Sequence, residues 1–434
     1  MLVKYDLIIV GAGAAGLFAA ARAAECGAKT LLLEKNNQPG IKILMSGGTR
    51  CNITHATDQQ GIAAAFAKFD KKQAGFLRSS LAALPPEKVI QLIEAEGVLT
   101  KVEDTGKIFP VSNKAIDVRD ALHKRAVQHG AVVRLNSAVD GIRQDNYGFT
   151  LTSGGASFFC TRLLITSGGQ SYPGCGTTGD GYTWASQFGH TIVNPVPALT
   201  PITTDEAWVR DLKGITLPDA VLAIVRLDAA KEQSGYGAKQ FLTTRRSSLL
   251  FTHFGLSGPS ALDISRVITR DANRGELRLV CDFLPHVGTE EFQHELTMVF
   301  QNAGRKQIAS IIPEFVPKRL AEAALQQCGI AGETKAAEIS KKQNRSLVTF
   351  FKACVIGISG TLGFKKAEVT AGGVALKEVD SKTLQSRLVP GLYFAGEVLD
   401  IDGPIGGFNF QAAFSTGWLA GQSAAAAMND SLLQ

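Results

Sequence analysis

The chain opens on a short apolar run, Tyr5–Val10, followed by a glycine-spaced turn, an alanine-rich stretch over Ala14–Cys26 and a second apolar run at Lys29–Leu33. Strand-length runs on either side of a helix-length segment predict strand, turn, helix, strand. Two helices are predicted next, Gly61–Leu84 and Glu87–Glu96, the second opened by Pro85-Pro86. A hairpin about Asp104-Thr105-Gly106 and a helix over Ala115–His129 follow. Strands are expected at Val132–Leu135, Val139–Arg143, Phe149–Thr152 and Leu163–Ile165, the last stopping at Gly168-Gly169. Alternation of strands and helices is the pattern of a parallel α/β sheet.

The texture changes around Pro195, Pro197 and Pro201. Between Asp219 and Phe283, the segments Ala220–Leu227 and Glu276–Phe283 read as strands with no helix between them. Glu290–Phe351 reads as mostly helical, and α/β character then resumes. The expected organisation is a discontinuous α/β domain, residues 1–195 and 354–434, interrupted by a β-rich unit, 196–286, and a helical unit, 287–353. A length of 434 residues, more than one ordinary core serves, agrees with two or three domains.

Composition narrows the class. An apolar share of 45% with 19% charged residues describes a well-packed globule. The 45 glycines point to tight turns or to places where backbone approaches a ligand closely. A formal charge of +6 suits an anionic cofactor or substrate, but over this length it is too mild to suggest a nucleic-acid partner. The densest basic group, Lys239 with Arg245 and Arg246, reads as a solvated face. Seven scattered cysteines without a CxxC argue against disulfides, zinc or a dithiol redox pair, and fit a reducing cytoplasm. Leu7–Ala21 is apolar enough to mimic a signal peptide, yet Asp6 heads it and glycines interrupt it. With no apolar run of about 18 residues elsewhere, a soluble, unprocessed, cytoplasmic protein with no membrane partner is expected.

Gly11-Ala-Gly13-Ala14-Ala15-Gly16 follows the first strand and opens the first helix. Gly11 permits a sharp turn, Gly13 lets backbone approach a pyrophosphate, and Gly16 lets the helix pack on the strand. The pyrophosphate would lie on the positive helix N-terminus. Glu34 closes the second strand, where a carboxylate can accept ribose hydroxyls, with Lys35 beside it. The acid disfavours a 2′-phosphate, so FAD and NAD both remain open for this site.

The far end of the chain chooses between them. Gly391-Leu-Tyr-Phe-Ala-Gly396-Glu397 is a buried strand ending in glycine and carboxylate. Gly406-Gly407-Phe408-Asn409-Phe-Gln411 then leads into a helix, Ala412–Ala427. FAD is longer than one βαβ unit can hold. Glu397 can accept from its ribityl chain, and a helix N-terminus near Asn409–Gln411 can stabilise the charge that its pyrimidine edge gains on reduction. NAD needs no second site.

Several long motifs stand in order: Lys42-Ile-Leu-Met-Ser46-Gly47-Gly48-Thr49-Arg50-Cys51-Asn52, Gly168-Gly169-Gln-Ser-Tyr172-Pro, Thr177-Thr-Gly-Asp180-Gly-Tyr182, Thr252-His253-Phe-Gly-Leu-Ser-Gly-Pro259 and Glu368-Val-Thr-Ala-Gly-Gly-Val. With Gly391–Gln411, they closely resemble the BaiN-like, or aminoacetone-oxidase-family, NAD(P)/FAD-dependent oxidoreductases, essentially end to end. The resemblance implies a Rossmann-type (glutathione-reductase-like) FAD domain built from both ends of the chain, with β-barrel-like and helical insertions. It also implies that Ser46–Asn52 lines the flavin and that Val139 touches the adenine through its backbone. Two positions depart from the family pattern: Ile41 stands where arginine is common, and Thr49 where the run is usually all glycine.

Flavin would carry the redox chemistry, leaving position, dryness and charge to the protein. No GxSxG elbow, HExxH, P-loop or second GxGxxG is present, so NAD(P)H would dock transiently as a donor, and oxygen is an alternative acceptor. No metal is expected. His253, on a glycine-rich loop, and Tyr172 are the acid–base candidates, each with a purely structural alternative. Cys51 without a partner cysteine reads as a small buried side chain, and Arg50 as a counter-charge for flavin or pyrophosphate. The expected activity is two-electron transfer on a small organic substrate. The alternatives are a flavin-bearing RNA-modification protein and a dinucleotide-binding sensor without turnover. The substrate and the oligomeric state are not encoded in these motifs.

Overall fold

A computed structural model describes residues 3–227 and 240–431, so Lys239 lies outside the described residues. Contacts divide the chain into two compact units: Met1–Pro197 with Ala367–Gln434, and Ala198–Lys366.

The first unit is built on a sheet whose strands run in the order Val132–Arg134, Thr30–Leu33 (β2), Val3–Val10 (β1), Ala156–Ile165, Gly148–Ser153 and Gly141–Asp145. The first four are parallel, the last two antiparallel, and Leu392–Phe394 adds a parallel strand beside Ala156–Ile165. Leu7, Ile8, Ile9, Leu31, Leu32, Leu163, Leu164 and Ile165 are fully buried, as a covered parallel sheet requires. Each such side chain contributes about 1.5–3 kcal/mol relative to exposure.

Helix α1 (Ala14–Glu25) follows β1, and the closing helix, Phe408–Ser431, lies against it in direct backbone contact. A Cβ on Gly417 would stand 2.2 Å from the Ala15 carbonyl oxygen, and one on Gly421 2.4 Å from that of Ala19. Phe18 meets Phe414 at 4.7 Å between ring centroids, and Arg22 lies 4.7 Å over Trp418. The fold of this unit is therefore sealed by contacts between the beginning and the end of the sequence.

The structure corrects three element assignments. The helix expected over Gly61–Leu84 is two, Gln59–Ala67 and Lys71–Ala83, because Asp70 caps the second by accepting from the Lys72 N–H at 2.7 Å. The strand expected from Val139 begins at Gly141, which leaves Val139 in a loop. A helix, Pro259–Arg270, does interrupt the β-rich stretch; Gly258 at φ +87° and Pro259 in its first turn start it.

The second unit carries a seven-stranded sheet in the order Cys354–Gly357, Leu277–Asp282, Thr216–Arg226, Thr243–Thr252, Gly255–Ser257, Ile202–Thr203, Gly360–Thr361. Its two edge strands are consecutive in the chain, separated only by Ile358 and Ser359, so the sheet must curl strongly to bring its edges together. The helices Thr289–Asn302, Lys318–Gln327 and Lys341–Ala353 share one apolar core with this sheet, joining Phe292, Leu320 and Phe351 to Leu222, Phe251 and Leu279. Among the described residues no helix is long and apolar enough to cross a membrane.

Candidate functional site

The glycine turn after β1 is forced by packing. Gly11 has φ +105°, and a Cβ there would lie 2.8 Å from the Thr166 carbonyl oxygen; a Cβ on Gly16 would lie 1.9 Å from the Gly11 oxygen. Gly13 differs: it has ordinary φ, and a Cβ would meet nothing within 4 Å. It is also the N-cap of α1, with no side-chain cap and no acidic residue in the first turn. A helix leaves its first N–H groups without intrahelical partners. Here Gly13 leaves open space at that end of the helix, which an anion can enter.

Glu34, at the end of β2, is buried. Its Oε2 accepts from the Ala12 N–H at 2.7 Å, and its Oε1 from the Asn36 N–H at 2.9 Å and Asn36 Nδ2 at 2.7 Å. Three donors position the carboxylate beside the glycine turn. Ser137 donates its N–H to the Glu34 carbonyl at 2.8 Å, which brings the loop carrying Val139 alongside. Lys35 points elsewhere: Nζ donates to Thr178 and Asp180, both at 2.7 Å.

The late segment reaches the same place. Gly396, at φ +77°, packs so closely on α1 that a Cβ would lie 2.8 Å from that of Ala15. Glu397 next to it is an electrostatic hub. Its Oε2 accepts from Lys42 Nζ at 2.5 Å, and its Oε1 from Ser171 Oγ at 2.8 Å and the Thr370 N–H at 2.9 Å. Lys42 also donates to Ser171 Oγ at 2.5 Å. Gly169 is bare because a Cβ would stand 2.4 Å from Thr370 Oγ1 and 2.9 Å from Glu397 Oε1, while Gly168 has φ +75°. Tyr182 is buried nearby with a hydroxyl that has no hydrogen-bond partner among the described residues, and burial, then the charges of Glu397 and Asp400, raise its pKa.

Helix α2 (Ile41–Thr49) breaks at Ser46, and Gly47, Gly48, Thr49 and Cys51 all have φ between +56° and +67°. The β-branched Thr49 is therefore strained where glycine would not be. A Cβ on Gly48 would face open space. Arg50 is directed away, stacked 4.0 Å over Phe109 and paired with Glu103 at 2.7 Å. Cys51 is fully buried, and burial pushes its thiol up to about 12.

The 46–52 loop is clamped to the start of the closing helix. With its amide turned so that both groups pair, Asn52 donates to the Thr54 carbonyl at 3.1 Å and accepts from the Gly407 N–H at 3.0 Å. His55 stacks on Phe408 at 4.7 Å, and a Cβ on Gly407 would stand 2.5 Å from the Thr54 oxygen. Gln411 and Asn409 act within the protein. Gln411 is fully buried, accepting from Thr54 Oγ1 at 2.6 Å and donating to the Leu84 carbonyl at 3.0 Å. Asn409 fastens Gly403 through both amide groups.

Tyr172 is the residue next to Ser171, at φ +53°; burial, then the Glu368 carboxylate, holds its phenol above the ordinary tyrosine value. His253 belongs to the second unit. It occupies the exposed two-residue turn between Thr252 and Gly255, its ring edge-on to Phe254.

The structure thus brings together Gly11–Gly16, Glu34, Lys42, Gly168–Gly169 and Gly396–Glu397, and separately clamps Ser46–Asn52 to Gly407–Phe408. Thr166, Ser171 and Thr370 were not singled out from sequence. As short polar side chains within motifs they carry no signal of their own; only folding turns Thr166 towards the Gly11 oxygen, Ser171 towards the Glu397 carboxylate, and Thr370 Oγ1 towards the N–H groups of Gln170 and Ser171. The residues present fit FAD. Uncapped amides and an unobstructed Gly13 suit a pyrophosphate, a buried carboxylate stands where adenosine ribose would lie, and a second polar cluster arises from the far end of the chain.

Relatives support this assignment. Residues 5–423 match the family described as HI0933-like protein Rossmann domain. The chain is 34% identical over 427 residues to the ribosomal RNA dihydrouridine synthase of Escherichia coli, covering 98% of this chain and 99% of that one. It is 30% identical over 424 residues to the 3-dehydro-bile acid delta(4,6)-reductase of Clostridium scindens, covering 96% and 98%. Among solved structures, the 3-ketosteroid-delta4-(5alpha)-dehydrogenase of Rhodococcus jostii shares the fold, with TM-score 0.51, 14% identity and coverage of 98% and 97%. The chain belongs to the HI0933-like Rossmann family and is an FAD-dependent oxidoreductase.

Proposed function

We propose that the protein reduces a carbon–carbon double bond conjugated to a carbonyl, and that its substrate is a uracil base in ribosomal RNA, with NAD(P)H as electron donor. The observation that carries this reading is the end-to-end match to two relatives whose names both describe saturation of a ring alkene conjugated to a carbonyl. The choice of RNA draws on the distribution of charge. Ala198–Lys366 holds 22 Lys and Arg against 17 Asp and Glu, which is +5 of the total +6. A whole-chain average conceals that imbalance.

Bound FAD supplies a two-electron relay, from the NAD(P)H hydride to the alkene carbon β to the carbonyl. The chain must deliver the balancing proton to the α carbon. Tyr172 is the candidate, because it stands next to Ser171 in the Glu397 cluster and a phenol is protonated near neutrality. Lys42, fixed by Glu397 and Ser171, keeps a cation beside the cluster.

The test is anaerobic mixing with NADH or NADPH, followed by ribosomal RNA from cells lacking the protein. The flavin band should bleach, return on adding RNA, and leave uridine two mass units heavier in nucleoside analysis. Tyr172→Phe should leave bleaching unchanged and slow the return by roughly 10²–10⁴-fold. A flavin that bleaches but never reoxidises with RNA would refute the RNA assignment. The second reading, a small organic substrate, rests on the bile-acid reductase relative. It predicts reoxidation by a 3-oxo-4-ene steroid instead.

A further inference from the structure

Resting on the RNA reading above, we propose that the surface formed by residues 303–307 and 335–345 of the second unit is a docking face for the RNA phosphate backbone. These two segments are joined by hydrogen bonds: the Ala336 N–H donates to the Lys306 carbonyl at 3.0 Å and the Ala337 N–H to that of Gly304 at 3.2 Å, with a β-bridge between Gln307 and Lys335. They carry Arg305, Lys306, Lys335, Lys341, Lys342 and Arg345, all exposed. None of the six forms an ion pair among the described residues, whereas Arg226, Arg245, Arg246 and Lys352 of the same unit are each bound to aspartate. The acids close in sequence are Glu333 and Glu338, and Glu338 is turned back to accept from the Lys335 N–H at 3.2 Å.

The placement of three of these cations opposes local stability. Lys341, Lys342 and Arg345 lie in the first five residues of the helix Lys341–Ala353, which has no acidic residue in its first turn. Cations are unfavourable at the positive end of a helix dipole. The neighbouring helix Thr289–Asn302 follows the stabilising pattern, with Glu290 and Glu291 in its first turn. Unpaired cations placed against a helix dipole repel one another and the helix. A polyanion reverses both terms, and the release of its counterions drives association. Asn344, Leu347, Val348 and Phe351 bury the opposite side of this helix, so the cationic side is free for a partner. RNA phosphates match its sign, its exposure and the surplus charge of the unit.

The test uses the full-length, FAD-loaded protein and a fluorescein-labelled fragment of ribosomal RNA. The triple variant Lys341→Glu, Lys342→Glu, Arg345→Glu is compared with a control triple variant of the first unit, Lys68→Glu, Lys71→Glu, Lys72→Glu, which changes net charge equally. The first should bind RNA at least tenfold more weakly near 0.1 M salt, and the slope of log affinity against log salt should shrink by about 2 to 3. NAD(P)H bleaching of its flavin should not change. A Gln triple variant at the same positions should show a smaller loss in the same direction, which separates lost contacts from repulsion or misfolding. Equal binding by variant and wild type, or equal losses in both triple variants, overturns the proposal. Should the wild type form dihydrouridine in RNA while the variant keeps the same KM, this face is wrong and the enzymatic reading stands. Should the wild type neither bind RNA nor form dihydrouridine, both fall.

Discussion

Gly13 and Gly16 belong to one motif yet are bare for different reasons, and alanine at each position separates ligand binding from folding. At Gly16 a Cβ would stand 1.9 Å from the Gly11 carbonyl oxygen, inside the turn itself. Relief requires the helix or the turn to shift, at a cost of about 1–3 kcal/mol. At about 2–4 °C per kcal/mol, the apoprotein of Gly16→Ala should melt several degrees lower. At Gly13 a Cβ meets nothing within 4 Å, and φ of −78° is ordinary for alanine. Alanine there gains about 0.4–1 kcal/mol through the unfolded chain and gives back a similar amount as a poorer N-cap. The apoprotein of Gly13→Ala should therefore melt within about 2–3 °C of the wild type. Its methyl group, however, enters the space beside the free amides of α1. Losing one charge-assisted hydrogen bond there, worth about 1.5–3 kcal/mol, weakens FAD roughly ten- to a hundredfold. The assay is thermal denaturation of flavin-stripped protein together with titration of FAD by fluorescence quenching. A Gly13→Ala protein that binds FAD as tightly as the wild type would show that the cofactor does not lie on this helix.

Glu34→Ala removes the acceptor of three N–H groups and the proposed ribose ligand, so FAD retention on gel filtration should fall roughly ten- to a hundredfold; unchanged retention would exclude Glu34 as ribose ligand. Cys51 and Cys160, both pushed up to about 12 by burial, hold about one thiolate in ten thousand at pH 8. Native protein should therefore be alkylated at exposed Cys26 long before either, as peptide mapping would reveal. His190 is buried, with its pKa lowered chiefly by that burial, and its Nε2 lies 2.8 Å from Ser386 Oγ. The folded state thus disfavours the protonated ring, so stability is full above the unfolded value of about 6.5 and declines as pH falls below it. Urea titrations at pH 7.5 and 5.5 should show a loss that is smaller in His190→Gln; an equal loss assigns the acid sensitivity elsewhere.

What the sequence made legible is what local geometry dictates. Gly11 and Gly16 are required by the turn itself, and Glu34 by the end of β2, so strand, spacing and acid could be read together. The Lys42–Glu397 pair was legible only as two separate candidates, because the two stand 355 positions apart and no local pattern couples them. Arg50 and Gln411 were expected to reach the cofactor; Glu103 and Phe109 hold the first, and Thr54 and Leu84 the second, partners that only tertiary folding supplies. Gly258-Pro259 reads equally well as a loop and as a helix start, and burial of Ala261, Ile264 and Ile268 decides for the helix. The cationic face escaped notice because its residues are interleaved with polar and apolar positions, and because acids elsewhere dilute it in any average.

The glycine seam between α1 and the closing helix constrains how the protein comes into being. A nascent chain emerging from the ribosome can form β1, α1 and β2 early, but the flank of α1 against which Gly417 and Gly421 press stays uncovered until Phe408–Ser431 has been made, roughly 400 residues later. Coenzyme capture is thereby deferred until that helix exists. A chain cut short before its last helix would present a greasy, half-built nucleotide cradle, and such products are natural targets for chaperones and proteases.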